Sequence, residues 1–273
     1  MVRRHSFELW KIAAVAATLL FCSVGTLAQN APAASAKIWI GRAAEIEDYL
    51  RTAEIVKLDA IAVGVMHPRK ATLKPGGPVE FLAFKPIAPG VYDGDHESYK
   101  SEIAAYEIDK LLHLDMVPPT VEKIYKGQKG AAVMWASPTK SFFELGGPPV
   151  PPKDHLLSFG FMIAQAKMFD CLIGDPDPNL GNWLVDPAWN IILIDHSRAL
   201  TTDTSFFQPL RYIDADLWDR MKALTIESLT QAVGKWLDKD AIKAVIQRRD
   251  KMQKAIDDLV KKYGAANVFV KGA

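Results

Sequence analysis

The chain between residues 43 and 135 alternates short apolar runs with turn residues. Lys70-Ala71-Thr72-Leu73 and Val79-Glu80-Phe81-Leu82-Ala83-Phe84-Lys85 read as strands, with Lys74-Pro75-Gly76-Gly77-Pro78 as the turn between them. Ile61-Ala62-Val63 reads as a further strand, and residues 43 to 54 as a short amphipathic helix. From Ser98 the period changes. Ala104, Ile108, Leu111 and Leu112 fall at i, i+4, i+7 and i+8, which predicts a helix with one buried stripe. Ser98 suits the N-cap, and Val117-Pro118-Pro119 stops the helix. Thr120 to Tyr125 and Ala131 to Trp135 then predict a hairpin around Lys126-Gly127-Gln128-Lys129-Gly130.

The second half is patterned differently. Gly146 to Pro152 is a proline-rich loop, and His155 to Ile173 is apolar nearly all round, as a helix inside a lobe would be. Gly174 to Gly181 is an irregular loop of Asp, Pro and Asn. Trp183-Leu184-Val185 and Ile191-Ile192-Leu193-Ile194 read as two short strands. From Asp214 onward most of the chain reads as helix, with a long amphipathic one from Asp240 to about Tyr263. This predicts an α+β chain: a small β-rich N-lobe over residues 43–136 and a helical C-lobe over 137–273.

The first residues belong to neither lobe. Arg3, Arg4 and Lys11 make a basic start, followed by the uncharged apolar run Ile12 to Ala28 with small residues near its end. This is the pattern of a secretory signal peptide, assigned to residues 1–28. Export to the periplasm or outside the cell is the expectation, with a membrane anchor as the alternative if the segment is not cleaved. The run is short against the roughly 20 residues of a full span. Residues 29–42 read as a linker, rich at the start in Ala, Pro, Ser and Asn.

Without residues 1–28 the chain carries 30 basic and 31 acidic residues. So near-neutral a body gives no electrostatic case for nucleic acid or for a polybasic membrane surface. One cysteine, Cys171, remains in an apolar stretch, so an internal disulfide is excluded and buried packing is expected.

The polar loop carries the candidate chemistry. Asp177 and Asn182 lie five positions apart on it, and Asp195 follows the small hairpin. Phosphoryl transfer from a nucleotide needs divalent metal against the phosphates and a carboxylate that orients the attacking hydroxyl. Hard oxygen donors of this kind suit Mg²⁺ or Mn²⁺. In the first lobe Lys85 ends an apolar strand and Glu102 sits early in the following helix, an order that suits a lysine held on nucleotide phosphates by a helix glutamate.

Ser98-Tyr99-Lys100-Ser101-Glu102-Ile103-Ala104-Ala105-Tyr106, Val117-Pro118-Pro119-Thr120-Val121, Asp177-x4-Asn182 and Ile194-Asp195-His196-Ser197-Arg198-Ala199 together resemble the atypical kinases. That group joins HipA-like kinases, phosphatidylinositol 3- and 4-kinase-like catalytic domains and secretory-pathway kinases. The resemblance runs from about Ile61 to the C-terminus. It implies a protein-kinase-like two-lobe fold that binds ATP with Mg²⁺ or Mn²⁺ and acts on a hydroxyl of a protein or small molecule. Within it, Lys85 and Glu102 are the phosphate-binding pair, Asp177 the catalytic base, and Asn182 and Asp195 the metal ligands.

The chain departs from that pattern at two places. Many relatives have Asn two positions before the catalytic Asp and Arg-His after it; here stand Asp175, Pro178 and Asn179. The hairpin ahead of Lys85, with Gly64, Met66, His67, Pro68 and Arg69, holds no Gly-x-Gly-x-x-Gly, and Arg69 or Lys70 is the candidate for supplying phosphate charge instead. The alternatives are a kinase-fold nucleotide-binding or scaffold protein without turnover, and a calcium loop from Asp175 to Asp186, which would lack the glycine at its sixth position.

Overall fold

The computed structural model describes residues 34–60, 69–177, 179–206 and 208–272. The signal-peptide segment, the strand expected at Ile61-Ala62-Val63, the rest of that hairpin through Pro68, and Pro178 lie outside the described residues.

The first lobe opens with helix α1 (Ala43–Thr52), which is followed by strands β1 (Ile55–Ala60), β2 (Arg69–Leu73) and β3 (Phe81–Lys85). A small hairpin, β4 (Gly90–Tyr92) and β5 (Asp95–Glu97), leads into helix α2 (Tyr99–Leu111). Strands β6 (Thr120–Tyr125) and β7 (Gln128–Met134) complete an antiparallel sheet of order β1-β2-β3-β7-β6. Lys126 and Gly127, both at positive φ, close the β6–β7 turn in the sense that matches strand twist. Alternation along the strands gives the sheet two apolar faces. Ala71, Leu73, Leu82, Phe84, Ala132 and Met134 pack with Ile46 and Leu50 of α1, while Ala131 and Val133 pack with Tyr99 and Ile103 of α2. The lobe therefore carries two helices, one on each face. Ser98 caps α2, its side chain accepting from the Lys100 amide at 3.0 Å.

The second lobe begins with β8 (Lys140–Ser141), α3 (Leu156–Ile173), β9 (Trp183–Val185) and β10 (Ile191–Leu193), the three strands pairing in the order β10-β9-β8. Strand β11 (Ile213–Asp214), helices α4 (Ala215–Lys222), α5 (Ile226–Val233) and α6 (Lys239–Tyr263), and strand β12 (Phe269–Val270), parallel to β11, complete it. By length and composition alone Lys153–Ile173 could span a membrane, but half of that stretch is buried, with Phe169, Leu172 and Ile173 in the core of this lobe.

Two devices fix where the polar loop leaves α3. Gly174 ends the helix at φ +64°, where a side chain would be strained. The fully buried Arg248 of α6 donates to the carbonyl of Leu172 at 2.8 Å and to that of Thr201 at 3.2 Å.

The stretch 34–42, expected as linker, is docked over residues 35–39. Ser35 Oγ and the Ala36 amide donate to Asp186 Oδ2 at 3.1 and 2.9 Å, and Trp39 is buried with α1 and the sheet. Burial of one tryptophan and two hydrogen bonds suffices to hold so short a segment. Its Ala/Pro/Ser composition gave no sign of that.

Candidate active site

Strand β3 ends at Lys85, which is buried and faces α2. Its ammonium donates to Glu102 Oε1 at 2.5 Å and to Asp195 Oδ1 at 2.9 Å. Glu102 sits in the first turn of α2 and is 2% exposed, whereas the Asp195 side chain is 46% exposed and open to the cleft. Burial pulls the Lys85 ammonium down, but the charges of Asp195 and Glu102 outweigh it and hold the lysine above its ordinary value. The Lys85 charge in turn holds the Asp195 carboxyl below the usual carboxylate range. Glu102 goes the other way: burial, with the Asp195 charge, raises its carboxyl above the usual carboxylate range against the pull of Lys85.

Asp195 follows β10 in the left-handed conformation, φ +67°, which Asp tolerates better than most residues. The Ile194 amide donates to the Asn182 carbonyl at 3.0 Å, so the hairpin sets Asn182 beside Asp195. The Asn182 side chain donates its NH₂ to the Asp177 carbonyl at 3.1 Å, which turns its oxygen the other way. Among the described residues that oxygen and the second oxygen of Asp195 accept no hydrogen bond, and as hard donors they are of the kind that Mg²⁺ or Mn²⁺ takes together with phosphate oxygens. Among the described residues no group of three or more His, Cys, Asp or Glu side chains is arranged to hold a metal ion unaided.

Asp177 is half-buried, and its carboxylate lies 4.0 Å from Arg198. Arg198 is held in turn by Asp95 at 2.9 Å and by Glu97 at 2.9 Å. Both acids belong to β5, so this arginine ties the polar loop to the first lobe. The Ser98 amide, donating to the Ser197 carbonyl at 2.9 Å, adds a backbone tie beside it.

Deeper in, Asp175 is 4% exposed, and its Oδ1 accepts the Asp177 amide at 3.0 Å. Burial pushes Asp175 up to about 7, and the charges of Asp195, Asp177 and Glu102 add to it against that amide bond. Asp170, on the last turn of α3, is raised well above the carboxylate range, first by burial and then by Asp175. Among the described residues neither acid is paired with a cation. His196 is buried edge-on to Phe169, and burial with the Lys85 charge lowers it to about 3, so it is neutral.

The structure thus brings Lys85, Glu102 and Asp195 into contact, with Asn182 and Asp177 on the adjoining loop. It does not bring Arg69 there. Arg69 pairs with Phe84 and is exposed on the α1 side of the sheet, because one step along β2 reverses the face. Asp186 is also removed from any calcium role, since its two oxygens accept from Ser35, Ala36 and Asn190. Cys171 is buried and free, as its apolar neighbours predicted.

No family model matches this chain, and no curated protein matches it in sequence. Solved structures do. The Golgi casein kinase with Mn/ADP bound superposes with a TM-score of 0.62 at 14% identity, over 84% of this chain and 78% of that one. The chain has an atypical protein-kinase-like fold. Hydra Fam20 with sugar shares this kinase-like fold at a TM-score of 0.58 and 16% identity, over 83% of this chain and 91% of that one. The Helicobacter pylori proinflammatory kinase CtkA shares it at 0.50 and 13%, over 80% and 98%. In this chain the sheet lobe and the helical lobe meet where Lys85 of β3 contacts Asp195.

Sequence reasoning missed Arg198, Glu97 and the buried role of Asp175. Arg198 was visible only as a letter in a motif, and its partners lie about a hundred positions away.

Proposed function

We propose that this chain is an exported phosphotransferase that moves a phosphoryl group from a nucleoside triphosphate such as ATP to a hydroxyl of a protein or small molecule. One observation carries the reading: a single buried ammonium touches both a helix carboxylate of one lobe and a cleft carboxylate of the other. Salt links of this kind place a cation where phosphates would lie and keep it charged there.

Lys85, oriented by Glu102, grips the phosphates. Asn182 and Asp195 would hold Mg²⁺ or Mn²⁺, which when bound neutralises charge building on the phosphate oxygens. Asp177 orients the acceptor hydroxyl and takes its proton as the oxygen bonds to phosphorus and the bond to the leaving diphosphate breaks. Arg198 keeps Asp177 on station. Asp177→Asn is expected to lower turnover by about 10²–10⁴ while nucleotide affinity holds. Full transfer of label from radiolabelled nucleotide by that variant would remove Asp177 from its role.

A second reading, a kinase-fold nucleotide-binding protein without turnover, is favoured by Asp175 standing where relatives carry Asn. Thermal stabilisation by nucleotide and Mn²⁺ with no phosphoryl transfer to any acceptor, water included, would select it. Export rests on residues 1–28. It predicts a mature N-terminus near residue 29 outside the cytoplasm, and recovery of intact Met1 from the cytosol alone would refute it.

A further inference from the structure

The sheet face that carries Lys85 carries a second lysine. Antiparallel register pairs Lys70 with Ala83, and Ala83 with Val133. Because side chains alternate along a strand, Lys70, Phe81, Ala83, Lys85 and Val133 share one face. Lys70 Nζ lies 4.0 Å from the centroid of the Phe81 ring and 4.5 Å from that of Trp135. Two ring faces hold the ammonium by their quadrupoles. Among the described residues no carboxylate pairs with Lys70. From Lys85 to Phe81 is four steps of strand, about 13 Å at ~3.3 Å per residue.

We propose that Lys70 reads the base of the bound nucleotide and selects a base carrying a carbonyl at its outer edge, guanine or uracil, over adenine. The proposal rests on the nucleotide-binding reading above. With the phosphates at Lys85, the nucleoside runs along this face toward the ammonium that Phe81 and Trp135 hold. The base edge farthest from the sugar then meets Lys70. An ammonium has three donors and no acceptor. Guanine presents O6 and uracil O4 to it, whereas adenine presents an amino group, donor against donor. Lysine on guanine O6 and N7 is a recurrent pairing for the same reason, and a site built for an acceptor rejects the analogue that lacks one.

The experiment is calorimetric titration of the full chain with GTP, UTP and ATP in the presence of Mn²⁺, repeated on Lys70→Met, which keeps the stem over both rings. GTP is expected to bind the native chain about tenfold or more tightly than ATP, and the variant is expected to bring that ratio close to one. ATP binding the native chain as tightly as GTP overturns the role of Lys70 and leaves the phosphotransferase reading standing. An unchanged ratio in a variant that melts like the native chain overturns it equally. If none of the three nucleotides binds, both readings fall.

Discussion

Two groups of buried charge lie within the same cleft region and are built on opposite terms. In the first, Lys85 stands between Glu102 and Asp195 within 3 Å of each; the two carboxylates hold the lysine up and the lysine opposes the burial that raises Glu102. In the second, Asp170 and Asp175 sit together with no cation among the described residues, and burial raises both, Asp175 to about 7. The difference shows what each is for. Under the proposed function the first would present fixed charge to the phosphates. The second supports the loop and has no need of charge: protonated Asp175 still accepts the Asp177 amide, much as the asparagine of related sequences would.

The comparison is broken most severely at Lys85. Lys85→Met leaves Glu102 buried without its cation, and a loss of roughly 3–5 kcal/mol is expected, with transfer abolished. Denaturant melts and a transfer assay on the same sample check both. A variant as stable as the native chain would mean that the three charges do not form one unit.

A smaller effect is expected at Asp175, and its sign follows from the direction of the shift. The folded state holds the proton more tightly than the unfolded chain does. The associated stability is therefore complete below the unfolded value near 4 and is lost as pH rises to about 7. Asp175→Asn removes this dependence while keeping the acceptor oxygen. Above pH 7 the variant is expected to gain on the order of 2 kcal/mol relative to the native chain. Below pH 4 the two should melt alike. Asp109, also pushed up to about 7 by burial, leaves a residual slope of the same sign in both proteins. Parallel melting curves across that range would show that Asp175 carries its charge after all.

Much of this architecture was legible in the sequence because its signals are local. The stripe Ala104, Ile108 and Leu112 gave α2, with Ser98 before it, and the alternation of Phe81 to Lys85 gave β3. Lys85, Glu102, Asp177, Asn182 and Asp195 were singled out from residue type, chain order and the family resemblance, and the structure places Lys85 in contact with Glu102 and Asp195, with the loop pair beside them. What stayed hidden depends on register or distant pairing. Arg69 and Lys70 are neighbours of the same charge, and only the pairing of β2 with β3 decides which shares a face with Lys85. Asp175 looked like turn chemistry until its burial was known, and Arg198 had no local partner at all. The docking of Trp39 likewise depends on a surface assembled from distant strands.

That docking limits how the halves of the molecule can move. The chain passes from sheet to helical lobe once, after β7, but the segment at Ser35 and Ala36 grips the β9–β10 turn while Trp39 is anchored behind the sheet. A body joined at two separated points can rock about the line between them but cannot swing freely. Under the proposed function a nucleotide would enter and leave on the side away from this strap, past the exposed carboxylate of Asp195.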